Sequence, residues 1–198
     1  MNGIILYRSK YGATKRYAEW LSEETGFPVL DAKTAKIEHV MEYDVVIFGG
    51  GVYASGISGV SFIKKHFEVL RDKTLLIFCV GASPYDEEAL HVLANNNLKG
   101  ELSDLPLFYC RGVWDLQKMS LIDRTMCKLL FKAIAKKDPS TLEIWERALI
   151  EAGEKSCDWT DKKYLAPVIE HLKSKTIRQV AVAAVACSRT PDTIADVS

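Results

Sequence analysis

Two hydroxyls and a glycine in the stretch Ser9-Lys10-Tyr11-Gly12-Ala13-Thr14 carry the most chemistry in this chain. An apolar run, Ile4-Ile5-Leu6-Tyr7, precedes them, and a helical pattern, Lys15-Arg16-Tyr17-Ala18-Glu19-Trp20-Leu21, follows. The stretch reads as a strand, a short loop and a helix start. Such a loop aims backbone N–H groups at one spot, with the positive end of the helix dipole behind them. A phosphate fits there. Ser9 and Thr14 can donate O–H bonds to its oxygens, and Gly12 lets the backbone approach closely or take positive φ. The spacing is neither the Gly-x-Gly-x-x-Gly of a dinucleotide fold nor the Gly-Lys-Ser/Thr of a nucleotide P-loop. The competing reading is a plain strand-to-helix turn whose Ser and Thr merely cap the helix.

Two further loops have suitable residues. In Gly50-Gly51-Val52-Tyr53-Ala54-Ser55-Gly56 the glycines allow backbone to lie against a planar ring, and Tyr53 offers an aromatic face. In Gly81-Ala82-Ser83-Pro84-Tyr85, Ser83 and backbone groups can bond a polar ring edge while Tyr85 covers a face. Against these stand a glycine-rich turn with an exposed Tyr53 and a Tyr85 that only begins a helix.

The elements that must position these loops alternate. Strands are expected over about 3–8, 27–30, 45–48, 75–80 and 105–113, with Gly49-Gly50-Gly51 ending the third and Gly81 the fourth. Helices are expected over about 13–25, 33–42, 59–71 and 87–95, with a last one over 160–174 in which Pro167 predicts a kink or a broken first turn. Continuous β-branched runs such as Val45-Val46-Ile47-Phe48 suit central strands buried on both faces. The alternation argues for an α/β fold with a parallel sheet.

Residues 114–158 form an insertion before the last helix. It holds a helical pattern over about 119–135, with Met119, Ile122, Met126, Leu129, Leu130, Ala133 and Ile134 on one side. A second pattern starts at a capping box, Ser140-Thr141-Leu142-Glu143, and ends at Gly153. Between Lys118 and Lys137 lie Lys118, Arg124, Lys128, Lys132, Lys136 and Lys137 against the single acid Asp123. A basic amphipathic helix over 118–137 suits an anionic membrane surface or partner; the plainer reading is a docked helix with its cations in water. The tail over 176–198 has no clear period and reads as an extra packed segment with a frayed end.

The formal charge is zero over 198 residues, and no nucleic-acid partner is expected. Five scattered cysteines without a C-x-x-C fit a reducing cytosol better than a disulfide framework or zinc site. Cys79 and Cys110, inside apolar runs, read as small core residues. The N-terminus enters a strand directly, and no apolar run approaches a membrane span, so a cytoplasmic protein is expected, with peripheral contact at the inner membrane face through the basic helix.

The first loop, after a strand with an aromatic near its end, resembles the flavodoxin FMN-phosphate loop, Ser/Thr-x-x-Gly-x-Thr. The third resembles the flavodoxin Gly-Asp-Ser-x-Tyr loop, with Ala82 in place of the acid. The resemblance implies a flavodoxin-like, doubly wound, five-stranded parallel sheet of order 2-1-3-4-5 in a domain over 1–175. It implies FMN held by Ser9, Lys10, Tyr11, Gly12, Ala13 and Thr14, by Gly50, Gly51, Val52, Tyr53 and Ala54, and by Gly81, Ala82, Ser83 and Tyr85. A backbone group of Gly50, Gly51 or Gly56 would meet flavin N5, and the sequence does not choose among them. Asp123-Arg124-Thr125-Met126-Cys127-Lys128-Leu129 in the insertion, with Trp159-Thr160-Asp161 beyond it, is similar to the menaquinone-dependent protoporphyrinogen oxidases. That resemblance implies an FMN-dependent oxidoreductase passing electrons from a reduced small molecule to a quinone. The alternative is a flavodoxin-type single-electron carrier between redox proteins, which would want an acidic rim that a neutral chain does not supply. A nicotinamide-dependent quinone reductase and a cofactor-free interaction module are weaker readings. No side chain is nominated as a catalytic acid or base, no metal is expected, and His39, His66, His91 and His171 fall on expected helices away from the loops.

Overall fold

A computed structural model describes residues 2–175. Its strands are β1 Gly3–Arg8, β2 Val29–Asp31, β3 Val45–Tyr53, β4 Gly56–Ile57, β5 Thr74–Gly81, β6 Leu107–Arg111, β7 Val113–Trp114 and β8 Cys157–Asp158. Its helices are α1 Ala13–Thr25, α2 Ile37–Val40, α3 Ser61–Lys65, α4 Phe67–Leu70, α5 Glu87–Asn97, α6 Leu121–Ile134, α7 Ile144–Ala152 and α8 over 166–175. The parallel sheet runs β2-β1-β3-β5-β6. Since β4 is a two-residue return on β3, this is the flavodoxin order read from the sequence.

The period-2 alternation of the strands sorts their side chains into two cores. Ile4, Leu6, Val46, Phe48, Ile77 and Cys79 face one side, where Val40, Ile63, Leu70 and Leu93 of the helices between β2 and β6 cover them. Ile5, Val45, Ile47, Leu76, Phe78 and Cys110 face the other, under Tyr17 and Leu21 of α1 and Val168 and Leu172 of α8. Both faces are buried, which is why these strands read as unbroken apolar runs.

Several expected boundaries shift. Gly49-Gly50-Gly51 does not end the third strand; β3 continues through it to Tyr53. A Cβ on Gly49 would lie 2.1 Å from the Phe78 ring, and one on Gly50 2.5 Å from Ile57, so neighbouring side chains fill the room these glycines leave. The second strand sits two residues later than expected, because Phe27 turns inward under Gly3 to become core. The 33–42 pattern shrinks to the single turn of α2. The 59–71 helix breaks at His66, whose backbone N–H is shared between the Phe62 and Ile63 carbonyls. At the far end, a 3-10 turn over Lys162–Leu165 precedes α8, and Pro167 lies in α8's first turn, where no N–H is needed.

The fifth strand ends at Arg111 rather than 113, and Val113–Trp114 pairs antiparallel with Cys157–Asp158. That small ribbon closes the neck of the insertion. Inside it, Trp114, Leu116 and Ala152 form a third core with Phe131, Cys127 and Leu149 packed against it. The capping box of α7 lies one turn later than expected. Glu143 is the N-cap and Glu146 bonds back to its N–H, while Ser140 belongs to a 3-10 turn begun by Asp138. The 176–198 segment lies outside the described residues.

Candidate functional site

The register of the sheet brings the three loops to one edge. Arg8 pairs with Gly50, Gly50 with Cys79, and Gly81 with Arg111, so the loops leave the carboxyl ends of adjacent strands. In doubly wound sheets ligands bind at this edge, where the strand order reverses between β1 and β3.

In the first loop Gly12 is the N-cap of α1 at φ 95°, a left-handed conformation that favours glycine. No side chain caps α1 and its first turn carries no acid, so its dipole end is open to an anion. The Gly12 N–H donates to Ser9 Oγ at 3.0 Å, which leaves the Ser9 O–H free to donate elsewhere. Thr14 is buried at the helix start. This donor set fits a phosphate monoester.

Lys10 and Tyr11 do something the sequence did not reveal. The Lys10 ammonium and the Tyr11 hydroxyl both donate to the Asp123 carboxylate of α6, and the Ser120 N–H donates to the Tyr11 hydroxyl at 3.2 Å. Lys10 and then Tyr11 hold the Asp123 carboxyl below the usual carboxylate range, and Asp123 in turn raises Lys10. Sequence marked Asp123 as the lone acid of a basic helix and as the start of the stretch that resembles the oxidases, not as a partner of the first loop.

The second loop reaches the same place. The Tyr53 ring meets Tyr11 edge-on at 6.0 Å, and Lys10 Nζ lies 5.8 Å from its centroid. Tyr53 also lies across Gly51, where a Cβ would stand 2.8 Å from the ring, and burial pushes its phenol up. Between Tyr53 and Gly56 the turn places Ala54 at φ 46° and Ser55 at φ 62°. Both are positive, as in the tight hairpin turn that normally takes Asn-Gly. Buried Asn97 of α5 holds this turn. It accepts the Ile57 N–H at 2.9 Å and donates to the Ser55 carbonyl at 2.8 Å. Asn97 was not anticipated; a buried amide has no signature in a helical pattern.

The third loop assembles around Tyr109, whose hydroxyl donates to the Ser83 carbonyl at 2.6 Å. Tyr85 stands exposed, its ring 6.4 Å from that of Tyr109. Ala82 turns toward the core of the insertion, and the Arg111 Nε–H donates to its carbonyl at 3.2 Å. The Arg111 guanidinium stacks on Trp159 at 4.1 Å. An acid at position 82 would point into that apolar cluster, which accounts for its replacement by alanine. The structure thus joins Lys10, Tyr11 and Tyr53 in one group and gathers Ser83 and Tyr85 around Tyr109. Gly112 bridges the two sides, since a Cβ there would lie 3.6 Å from Ala13.

The sequence matches the flavodoxin domain family over residues 4–141. The chain belongs to that family. The flavodoxin match spans the parallel sheet, all three loops and α6. Solved structures similar to this chain include a candidate flavoprotein of Bacteroides eggerthii (18% identity, 69% of this chain and 99% of that one, TM-score 0.42). They also include the Trp repressor binding protein of Bacillus subtilis (17%, 56% and 84%, TM-score 0.41). A third is the two-electron reduced flavodoxin of Megasphaera elsdenii (16%, 54% and 82%, TM-score 0.38). No curated protein matches the chain. Among the described residues no helix is long and apolar enough to cross a membrane.

Proposed function

We propose that this protein is an FMN-dependent oxidoreductase of the protoporphyrinogen oxidase type, taking electrons from a reduced small molecule and passing them to a quinone. The observation that carries the reading is the phosphate loop of a flavodoxin-family chain, with an uncapped α1, left-handed Gly12 and a free Ser9 O–H. Ser9, Gly12 and Thr14 would hold the FMN phosphate. Gly50, Gly51, Val52, Tyr53 and Ala54, with Gly81, Ala82, Ser83 and Tyr85, would hold the ring. FMN, when bound, supplies the redox chemistry. The protein's part is to bind and orient: Asn97 fixes the Tyr53–Gly56 turn, and Tyr109 fixes Ser83. The link from Asp123 to the phosphate loop supports reading the insertion as part of the site, and its sequence supports the oxidase type over a carrier.

Anaerobic turnover of FMN-loaded protein with protoporphyrinogen IX, with and without a menaquinone analogue, tests this by porphyrin fluorescence. Quinone-dependent porphyrin formation well above the free-FMN rate is the expected result. Tight FMN binding with turnover no faster than free FMN would reject the oxidase reading in favour of an electron carrier. Loss of FMN affinity in Ser9→Ala is the separate check on the phosphate loop.

A further inference from the structure

The basic helix docks by the face its composition advertises least. At about 100° per residue, Cys127, Phe131 and Ile134 of α6 share the arc turned to the insertion's core, and of these only Ile134 is fully buried. The adjoining arc carries Ile122, Met126, Leu129 and Leu130, all exposed, with Ile122 at 74% and Leu129 at 61%. Beyond it run Lys128 and Lys132 at i and i+4, with Leu121, 79% exposed, at the head of their row and Lys136 in the turn that follows Ile134. The other cations of the segment are occupied. Arg124 donates to the Leu116 carbonyl at 2.8 Å, Lys137 pairs with Glu146 at 2.6 Å, and Lys118 lies 3.5 Å from Asp115. Among the described residues, Lys128, Lys132 and Lys136 make no ion pair, and the one acid of the helix is spent on Lys10 and Tyr11.

An apolar ridge beside a row of unpaired lysines is thus presented to the outside along a helix of about 21 Å. We infer that this face of α6 lies on the surface of an anionic bilayer, with Ile122, Met126, Leu129 and Leu130 entering the acyl boundary and Lys128, Lys132 and Lys136 on the headgroups. Two features select a bilayer over other occupants. The lysine row has no acid of its own to meet, so a second copy docking on this face would bring like charges together. And α6 is anchored on its opposite side, where its own Phe131 and Cys127 pack on the insertion's core, so only one side of the helix is free. A plane accepts a single side, whereas a protein groove wraps a free helix. The inference does not depend on the flavin reading, because lipid binding is read without turnover.

The test is co-sedimentation of the full chain with vesicles of phosphatidylglycerol and, separately, of phosphatidylcholine. Binding to the first and not the second, weakened by salt, is expected. The variant Lys128→Gln/Lys132→Gln/Lys136→Gln should lose about 100-fold in affinity for anionic vesicles, at the usual gain per lysine near such a surface. The variant Ile122→Gln/Leu129→Gln should lose at least about 10-fold while leaving the fold intact, since both side chains are exposed. Absence of binding to anionic vesicles overturns the inference, as does binding that survives both variants. A dimer in sedimentation velocity that dissociates in Ile122→Gln/Leu129→Gln, without lipid binding, would assign the face to a second copy instead.

Discussion

Replacing Asn97 by alanine probes whether the Tyr53–Gly56 turn is held from outside or stands by itself. Asn97 is 7% exposed, and its amide makes three hydrogen bonds: from the Ile57 N–H, to the Ser55 carbonyl and to the Leu93 carbonyl of its own helix. Alanine removes all three. Ile57 is buried, so its N–H loses its partner without gaining water, a penalty of about 1–3 kcal/mol. The Ser55 carbonyl lies in an exposed turn and rehydrates, so its loss is nearer the net value of one bond, about 1 kcal/mol. Asn97→Ala should therefore lower unfolding stability by about 2–4 kcal/mol, a large share of a typical 5–15 kcal/mol. Urea denaturation followed by far-UV circular dichroism, read at unchanged m-value, gives the number. A second substitution locates the effect. Ala54 sits at φ 46°, where alanine is strained and glycine is not, so Ala54→Gly alone should stabilise or leave stability unchanged. If Asn97 holds the strained turn in place, Ala54→Gly should recover part of the Asn97→Ala loss, and the two changes should not add. A cost below about 0.5 kcal/mol for Asn97→Ala, the size of an ordinary surface change, would refute the argument that α5 clamps this loop.

The Asp123 carboxylate neutralises Lys10 beside the phosphate loop, so Asp123→Ala should strengthen FMN binding about 2- to 5-fold, the size of an exposed charge pair, and the gain should shrink at high salt. Titration by flavin fluorescence checks this, and weaker binding at every ionic strength would contradict it. Hydrogen bonds from Lys137 and from the Glu143 backbone hold the Glu146 carboxyl below its ordinary 4.5, so the α7 cap is fully stabilising above that value and is lost as pH falls through the lowered one. Hydrogen exchange at the first turn of α7, corrected for intrinsic rates, should be evenly protected above the ordinary 4.5 and lose protection only as pH falls below it. Burial pushes the Cys79 thiol up to about 12 and raises Cys110 as well, so maleimide labelling of native protein at pH 7.5 should spare both and modify the half-buried Cys157, as peptide mass mapping will show.

The parallel sheet was legible because its strands are buried on both faces: a run such as Val45-Val46-Ile47-Phe48 has few other homes. The phosphate loop was legible because strand, glycine and hydroxyls are contiguous. What was misread depended on distant chain. Glycine normally punctuates a strand, and Gly49–Gly51 is strand only because Phe78, Ile57 and Tyr53 fill the space beside it. Ser140-x-x-Glu143 satisfies the capping pattern as well as Glu143-x-x-Glu146 does. Asp138-Pro139 settles the choice by starting a 3-10 turn that uses Ser140. The basic helix was visible as a charge count, but not which cations were already engaged, since the partners of Arg124 are carbonyls and carbonyls have no sequence signal. Asp123 and Lys10 stand 113 residues apart, and no local pattern connects them.

The insertion and the missing acid at position 82 are one feature rather than two. A small apolar residue at position 82 suits the packing of Trp114, Leu116 and their neighbours there, and its carbonyl is held by Arg111, whose guanidinium in turn is held by Trp159 just past the insertion. The same insertion reaches the first loop through Asp123 and α1 through Arg16, which donates to Asp158 at 2.6 Å and Thr160 at 2.7 Å. The first loop is therefore bonded to the insertion directly, and the third is packed against its core. A protein that hands electrons to several partners gains from an open rim of one charge, which steers docking at long range. Here four charges near this edge are taken up in internal pairs, Lys10–Asp123 and Arg16–Asp158, which leaves fewer of them to steer a partner.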